Sequence, residues 1–435
     1  MKIPLEPVRG MRDYTPPDSE SLTWLTDVFK EIAMSYGYRE VKTPTIELFL
    51  LFALKSGEEI RRSMYVFKDK AGREVALRPE VTPSVIRIYL RKLQAEPKPI
   101  KLYYIANVFR YDEPQFGRYR EFWQAGIEIL GGDTLIYDAE LFYLLKDYYN
   151  AINLKEYNFK IGSMALLRAL FRAWNIDEDE QDYLLHLLDK KIINEVMKIL
   201  QVKYPKANPE LLNELLKVRT QDPNELMKLE SDLLSKYNEA VKAINDLVEL
   251  MDFLKSYNIN NFYIDLGFAR GLAYYNGMIF EVEVPGLRIS IGGGGRYDNL
   301  TQIYGGPPLS STGFALGIER TYLALQKQGY SIPITKLRAL AIPLKREALK
   351  PILKLSSMLR KYGIAIELCD GMNLSIKRWF SYANKKGLEI VLVIGDKELA
   401  RNSVTMKNMK TGEQQMVKID EALEVLRSWH YLKMK

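Results

Sequence analysis

Arg110, Arg118, Arg120, Gln124 and Glu128 fall within a stretch of thirty residues, 102–131, that otherwise alternates like a β-hairpin. Alternation puts Arg120, Phe122, Gln124, Gly126 and Glu128 on one face of the second strand and Trp123, Ala125, Ile127 and Ile129 on the other. The second set reads as core. The first set carries charge in the middle of a strand, where buried ionic groups need partners. A solvated face of an antiparallel sheet would carry such residues too. Phe122 and Gly126 argue instead for stacking and for close approach of a bound molecule. Guanidinium forks match phosphate oxygens in a bidentate manner, and a carboxylate beside an amide can orient a cationic or polar group. The expected chemistry is a single small-molecule site that takes a phosphate and an amine.

Composition removes most rival chemistries. Among 435 residues there is one cysteine, Cys369, and there are two histidines, His186 and His430. No intramolecular disulfide, Cys-based zinc site or histidine triad can be built from these. His186 lies in a Leu-rich helical stretch and reads as structural, Cys369 ends an apolar strand, and His430 has no assigned role. No G-x-x-x-x-G-K-[ST] is present, so a nucleotide would not sit on a P-loop. The run Gly292-Gly293-Gly294-Gly295 follows a hairpin, lacks G-x-G-x-x-G spacing, and suits close backbone packing or approach of a ligand. No apolar run of about 18 residues suggests a transmembrane helix. The opening MKIPLEPVRG lacks the apolar core of a secretory signal, so a cytoplasmic location is expected.

The elements that must position these residues are legible in outline. Pro16-Pro17-Asp18-Ser19 precedes Leu22, Leu25, Phe29, Ile32 and Tyr36 at helical spacing, with Gly37 as the stop. Strands are expected at 64–68, 74–78, 102–112 and 120–130. From 164 to 256 the pattern becomes nearly continuous helix, broken at Asn208-Pro209 and Asp222-Pro223. Residues 280–284 and 287–291 alternate on either side of Pro285-Gly286, which predicts a hairpin. After 334, apolar runs at 337–344, 364–369 and 389–394 are separated by helices in βαβ fashion. The fold class is therefore α+β: an antiparallel core with a helical insertion, followed by an α/β domain. The expected boundaries are 1–163 for the first part of the core, 164–256 for the insertion, 257–330 for the second part of the core and 336–435 for the terminal domain.

Several stretches resemble one family in order along nearly the whole chain. The stretch 104–131, with FRYDEPQFGRYREFWQAGIEILG, resembles motif 2 of the class II aminoacyl-tRNA synthetases in their histidyl form. YREVKTP (38–44) looks like motif 1 and GFALGIER (313–320) like motif 3. LRPEVT (77–82) resembles the amino-acid-binding segment. ARGLAYYNG (269–277) and GGGRYD (293–298) are similar to the two signatures peculiar to the histidyl enzymes. VLVIGDKEL (391–399) and TGEQ (411–414) resemble the family's anticodon-binding domain. The resemblance implies a class II synthetase core and a ligase that makes histidyl-adenylate and pyrophosphate from histidine and ATP, with Mg2+. The histidyl group then passes to the 3′ end of tRNA(His).

The resemblance also implies roles. Arg110 would contact the α-phosphate. Arg118 and Arg320 would hold the outer phosphates, and Phe122 with Arg320 would sandwich adenine. Asp112 belongs to the same ATP-binding set. Arg270 would stand near the histidine carboxylate and the α-phosphate, where it can substitute for a metal ion; no protein metal site is implied. Glu80, Thr82 and Gln124 would hold the α-amino group, Glu128 and Tyr275 would read the imidazole, and Tyr274 and Tyr297 would line the pocket. Three positions depart from the pattern: Ala273 where Asp is usual, Asp112 where Glu is usual, and Glu113 where a basic residue is common. Motif 1 implies a homodimer. The alternative is the synthetase-like regulatory subunit of ATP phosphoribosyltransferase, which shares the core but normally lacks the terminal domain and several motif arginines. Other class II synthetases, such as the threonyl, prolyl or glycyl types, form a second alternative.

Charge is unevenly spread. Residues 336–435 hold 20 Lys and Arg against 10 Asp and Glu, a net of +10, while the whole chain is +7. A basic terminal module on a near-neutral body points to a polyanionic partner. Deleting residues 336–435 is expected to spare histidyl-adenylate formation, read as ATP–pyrophosphate exchange, while abolishing most tRNA charging. Equal loss of both activities would make the segment structural.

Overall fold

A computed structural model describes residues 5–53, 61–270, 274–330, 337–370, 372 and 375–429; Ala273 and His430 lie outside the described residues. The chain divides into two units, Met1–Ser331 and Ile332–Lys435. In the first, the strands in chain order are β1 (Arg39–Glu40), β2 (Ile46–Leu48), β3 (Val66–Lys68), β4 (Glu74–Leu77), β5 (Ile100–Phe109) and β6 (Glu121–Leu130). They continue with β7 (Asn158–Ser163), β8 (Arg219–Thr220), β9 (Phe262–Asp265), β10 (Met278–Glu283), β11 (Gly292–Arg296) and β12 (Ser311–Gly317). Nine of these form one sheet in the order β1-β5-β6-β12-β11-β10-β7-β9-β8, and β2-β4-β3 form a small second sheet. The six strands from β5 to β7 are joined antiparallel throughout.

Register decides which residues share a face. Leu102 pairs with Glu128, Tyr104 with Gly126 and Ala106 with Gln124. On the other side Glu128 pairs with Gly313 and Gly126 with Ala315, and Glu281 pairs with Gly293. Directly opposed residues point the same way, so Gln124, Gly126, Glu128, Gly293 and Glu281 line one face. The other face is dry. The helix Asp18–Ser35 buries Leu22, Leu25, Phe29 and Ala33 against it, as their helical spacing predicts. Phe29 meets Phe314 edge-on at 6.2 Å between ring centroids. From the helix Leu135–Ala151, Phe142 packs on Phe159 at 5.1 Å and on Phe280 at 4.6 Å. Gly37, at φ 83°, ends the first helix.

The helical stretch between β7 and β9 is not helix alone. Its breaks are helix starts: Asn208 accepts from Leu211 N ahead of Pro209, and Asp222 accepts from Asn224 N ahead of Pro223. Between them Arg219–Thr220 adds an edge strand to the large sheet, pairing with β9. In the second unit, Arg338–Pro343, Ala365–Leu368 and Ile390–Ile394 pair in parallel, as the βαβ pattern implies. Two further antiparallel strands, Ser403–Asn408 and Gln414–Lys418, extend that sheet and give no strong alternating signal. No helix among the described residues is long and apolar enough to cross a membrane.

Three local expectations are corrected. The partner of β10 is not 287–291 but the glycine run, with Val282 opposite Gly292. Lacking side chains, those glycines fit between β10 and β12, and the alternating residues 287–291 become a connecting bend. Trp123, assigned to the core face, is 41% exposed, although its N–H is capped by Glu319 of the helix Ile318–Lys327. Arg120 lies just before β6 and turns away from the sheet face: its Nε donates to Asp112 O at 3.0 Å, and its guanidinium lies 4.1 Å from the centroid of the Tyr111 ring.

Candidate active site

The polar face of the large sheet gathers two groups of side chains. The first surrounds Glu128, which is 1% exposed. Thr82 Oγ1, at the start of the helix Thr82–Ile88, donates to Glu128 Oε1 at 2.6 Å, and the Tyr297 hydroxyl donates to Oε2. Burial pushes the Glu128 carboxyl up to about 8 against the pull of those two hydrogen bonds, and Glu80 raises it further. Gly313 makes this possible: a Cβ there would collide with Glu128 Oε2 and the Ile127 carbonyl. Tyr274 donates to Glu80 Oε2 at 2.8 Å, and burial raises the Glu80 pKa although Arg110 and Arg270 lower it. Tyr274, Tyr275 and Tyr297 form one aromatic cluster, with centroids between 4.8 and 6.4 Å apart. Gln124 is buried, and its Oε1 has no hydrogen-bond partner. An orphaned buried acceptor costs roughly 1–3 kcal/mol, so this oxygen suits a donor supplied by a ligand.

The second group is a convergence of arginines. Arg110 Nε donates to Pro79 O at 3.0 Å, and its guanidinium lies 5.4 Å from the Phe122 ring centroid. Arg320 donates from Nε to Gly117 O and from Nη1 to Ser290 O, each at 2.9 Å. Arg270 Nη2 donates to Glu281 Oε1 at 3.0 Å, and Gly293 leaves room for its guanidinium. Burial opposes the charge on Arg270, but Tyr275, Glu281 and Tyr274 hold its pKa above the usual value. Arg320 is the opposite case. Burial, then repulsion from Arg110 and Arg118, and also from Arg270, depress it to about 10 despite help from Glu281. Like charges held this close without enough carboxylates form an anion site. Arg118 is exposed at the tip of the loop, where Gln115 and Arg118 pair across its turn.

All the site residues expected from sequence therefore fall on this face or its rim, except Arg120, which braces the loop from behind. Asp112 is half-exposed on the same loop, and only its backbone carbonyl is engaged, by Arg120. Glu113 is exposed and pairs with Arg9 at 2.9 Å. Three contributors escaped the sequence reading. Glu281 sits in a strictly alternating strand, and only the register with Gly293 shows that it faces Arg270. Tyr104 lies under the pocket against Gly126, where a Cβ would collide with its ring. Glu319, beside Arg320, accepts Trp123 N on both carboxylate oxygens at 3.0 Å and is pushed up to about 7 by burial.

Residues 10–321 match the family model for histidyl-tRNA synthetase, and residues 338–429 match that for an anticodon binding domain. The histidine–tRNA ligase of Sulfurisphaera tokodaii is 42% identical over 98% of this chain and 99% of its own length. That of Saccharolobus solfataricus is 40% identical, also over 98% and 99%. Among solved structures, histidyl-tRNA synthetase from Nostoc sp. PCC 7120 superposes with a TM-score of 0.82 at 24% identity, over 98% of this chain and all of that one. An ATP phosphoribosyltransferase regulatory subunit/histidyl-tRNA synthetase from Bacillus halodurans gives 0.75 at 23% identity, over 88% of this chain and 97% of its own.

The raised carboxyl of Glu128 has a consequence for stability. Its folded pKa of about 8 exceeds the ordinary value of 4.5, so folding favours the protonated form. That contribution is complete below about 4.5 and is lost as pH rises through 8. Denaturant titrations of the ligand-free protein should show stability falling over this window, and Glu128→Gln should flatten the fall. An unchanged pH slope in the variant would contradict the burial assigned to this carboxyl.

Proposed function

The chain belongs to the histidyl-tRNA synthetase family, and from that membership we propose how its residues share the reaction. The activity is that of a histidine–tRNA ligase. A histidine carboxylate oxygen attacks the α-phosphorus of ATP, the bond to pyrophosphate breaks, and histidyl-adenylate forms. A hydroxyl at the tRNA 3′ end then attacks the carbonyl and releases AMP. Neither step needs a protein nucleophile, so catalysis is positioning and stabilisation of charge at the α-phosphate. In this reading Arg110 and Arg270 take the α-phosphate and the carboxylate, and Arg118 and Arg320 take the outer phosphates. Adenine enters between Phe122 and Arg320 as Arg110 moves from the Phe122 ring to phosphate. Gln124 Oε1, Thr82 and Glu80 take the α-amino group. Glu128 and Tyr275 read the imidazole, one accepting and one donating, which favours the neutral ring; Tyr274 and Tyr297 close the pocket. The carrying observation is one sheet face that holds under-compensated arginines beside a buried carboxyl and an orphaned amide oxygen.

Mg2+ would arrive with the ATP phosphates. That ion keeps several waters and asks for only one or two carboxylates. The half-exposed carboxylate of Asp112, on the loop that carries Arg118, fits that demand. The anticodon-binding domain makes tRNA the polyanionic partner, and the cytoplasm is the compartment where these substrates meet. Purified full-length protein is expected to exchange pyrophosphate into ATP with histidine alone among the amino acids, and Arg110→Ala should lower that exchange about 10²- to 10³-fold. Absence of exchange from folded protein would favour a regulatory role, and exchange with threonine, proline or glycine would reassign the substrate.

The homodimer reading rests on the small sheet. In β2 the order of burial is inverted: Glu47 is buried and paired with Arg87 at 2.7 Å, while Ile46 and Leu48 are 49% and 54% exposed. Leu50 and Phe67 are also exposed nearby, at 64% and 43%. Such a contiguous apolar face on a folded unit suits a second copy of the chain. Light scattering at micromolar concentration should give twice the 50.4 kDa chain mass, and Ile46→Asp with Leu48→Asp should give the monomer. A monomeric wild type would overturn this assignment.

A further inference from the structure

Arg270 hangs from a short segment whose anchors come from the helical block. Asp265 ends β9, and its Oδ2 lies 3.4 Å from Arg219 Nε and 3.9 Å from Lys160 Nζ. Leu266 N donates to Val218 O at 3.2 Å. Gly267 packs so tightly on the Leu216 carbonyl that a Cβ there would collide with it. Lys191 Nζ donates to Gly267 O at 3.0 Å. Three successive residues are thus tied to residues 191 and 216–219, all within the block. Phe268 and Ala269 follow, 4% and 2% exposed, and then Arg270 itself, held by Glu281.

Lys191 is the unexpected member of this set. Among the described residues, the non-glycine positions with positive φ are Asn153, Asn175, Asn258, Asn402 and Lys191, at φ 61°. The four asparagines are the ordinary choice, because a short polar side chain tolerates the left-handed region. Lys191 closes the helix Glu178–Asp189, with its N–H on Leu188 O and the next N–H on Leu187 O. A lysine gains nothing from its backbone there. A side chain long enough to reach the Gly267 carbonyl is what it adds. A sparsely populated backbone state retained at one position, with its side chain spent on the segment that carries an active-site arginine, is the pattern expected of a functional constraint.

We propose that Lys191, assisted by Arg219, is a positioning residue for Arg270. The helical block thereby sets where that guanidinium stands at the α-phosphate and so sets the rate of histidine activation. The proposal rests on the role given to Arg270 above. Arg219 is the weaker arm, because its side chain is 61% exposed and solvent screens its pair with Asp265.

Lys191→Asn separates positioning from plain structural support, because it removes the long donor while supplying a residue suited to φ 61°. Thermal stability should be retained or raised. The single-turnover rate of histidyl-adenylate formation, counted per active site by burst titration, should fall about ten-fold, a modest part of what misplacing a catalytic group costs. The KM for histidine should rise as well, because Arg270 also takes the histidine carboxylate in this reading. Lys191→Arg, which keeps a long donor, should recover most of the rate. In an Arg270→Gln background, Lys191→Asn should cost nothing further. An unchanged per-site rate in Lys191→Asn, or the same loss in both backgrounds, overturns the proposal. If Arg270→Gln alone leaves the rate unchanged, the role of Arg270 fails first and the clamp fails with it. If the wild type gives no histidine-dependent adenylate, the fault lies with the functional reading itself.

Discussion

Mutual repulsion among arginines is the constraint on which this catalytic unit depends. Arg110, Arg118, Arg270 and Arg320 are close enough that Arg320 is depressed to about 10 by burial and by the charge of the other three. Left free, such side chains would swing apart into water. Arg110, Arg320 and Arg270 are held by fixed acceptors, the carbonyls of Pro79, Gly117 and Ser290 and the Glu281 carboxylate, while Arg118 stays exposed on its loop. Each acceptor belongs to a different segment of the chain. The sheet has to bring those segments together, and on the proposed reading a bound polyphosphate would relieve repulsion that folding has already had to overcome. Preorganised charge of this kind loses little to reorganisation when the reaction proceeds.

That demand explains features that look like weaknesses when taken alone. A strand made of Gly292, Gly293, Gly294, Gly295 and Arg296 has poor β-propensity. Gly293 nevertheless leaves room for the Arg270 guanidinium beside Glu281. Gly126 and Gly313 do the same for Tyr104 and for Glu128. The apolar face behind them supplies the compensation, with Phe29, Phe142, Phe159, Phe280 and Phe314 in edge-on or tilted contact. The rich aromatic packing sits behind the strands that have given up side chains on the active face.

Much of this was legible in the residues. The α+β class and the hairpin carrying Arg110 and Glu128 follow from alternation and spacing, and the order of the motifs follows from the resemblance to the family. What was hidden is register. Residues 287–291 alternate as cleanly as 280–284, yet the glycine run takes the partner's place because a strand without side chains can sit between two others. Trp123 obeys the alternation and is still exposed, since alternation assigns a face and not how fully that face is covered. Arg120 obeys it too, but it precedes the first paired residue of β6 and is free to turn onto Tyr111. Glu281 and Lys191 carry no motif at all. One is found only through pairing across β11, and the other only through a backbone angle.

The distribution of titratable groups fits a reaction without a protein base. Among the described residues, burial raises four carboxyls: Glu80, Asp138, Glu128, to about 8, and Glu319, to about 7. Glu319 is fixed on Trp123 N, at the junction of β6 with the helix that carries Arg320, so its ionisation bears on the scaffold. Glu128 lies on the polar face of the sheet, where it accepts from Thr82 and Tyr297 and, on the proposed reading, meets the amino acid. A further N–H donor from a bound imidazole would favour its ionised form and pull its pKa down. On that reading a buried acid held near neutrality, and ionised when a matching donor binds, would discriminate against side chains that bring no such donor. They would leave the carboxyl either protonated or charged and uncompensated, and both states cost affinity. Selectivity for histidine would then rest on the desolvation of one carboxyl, and the chemistry at phosphorus on arginines that stay charged across the working pH range.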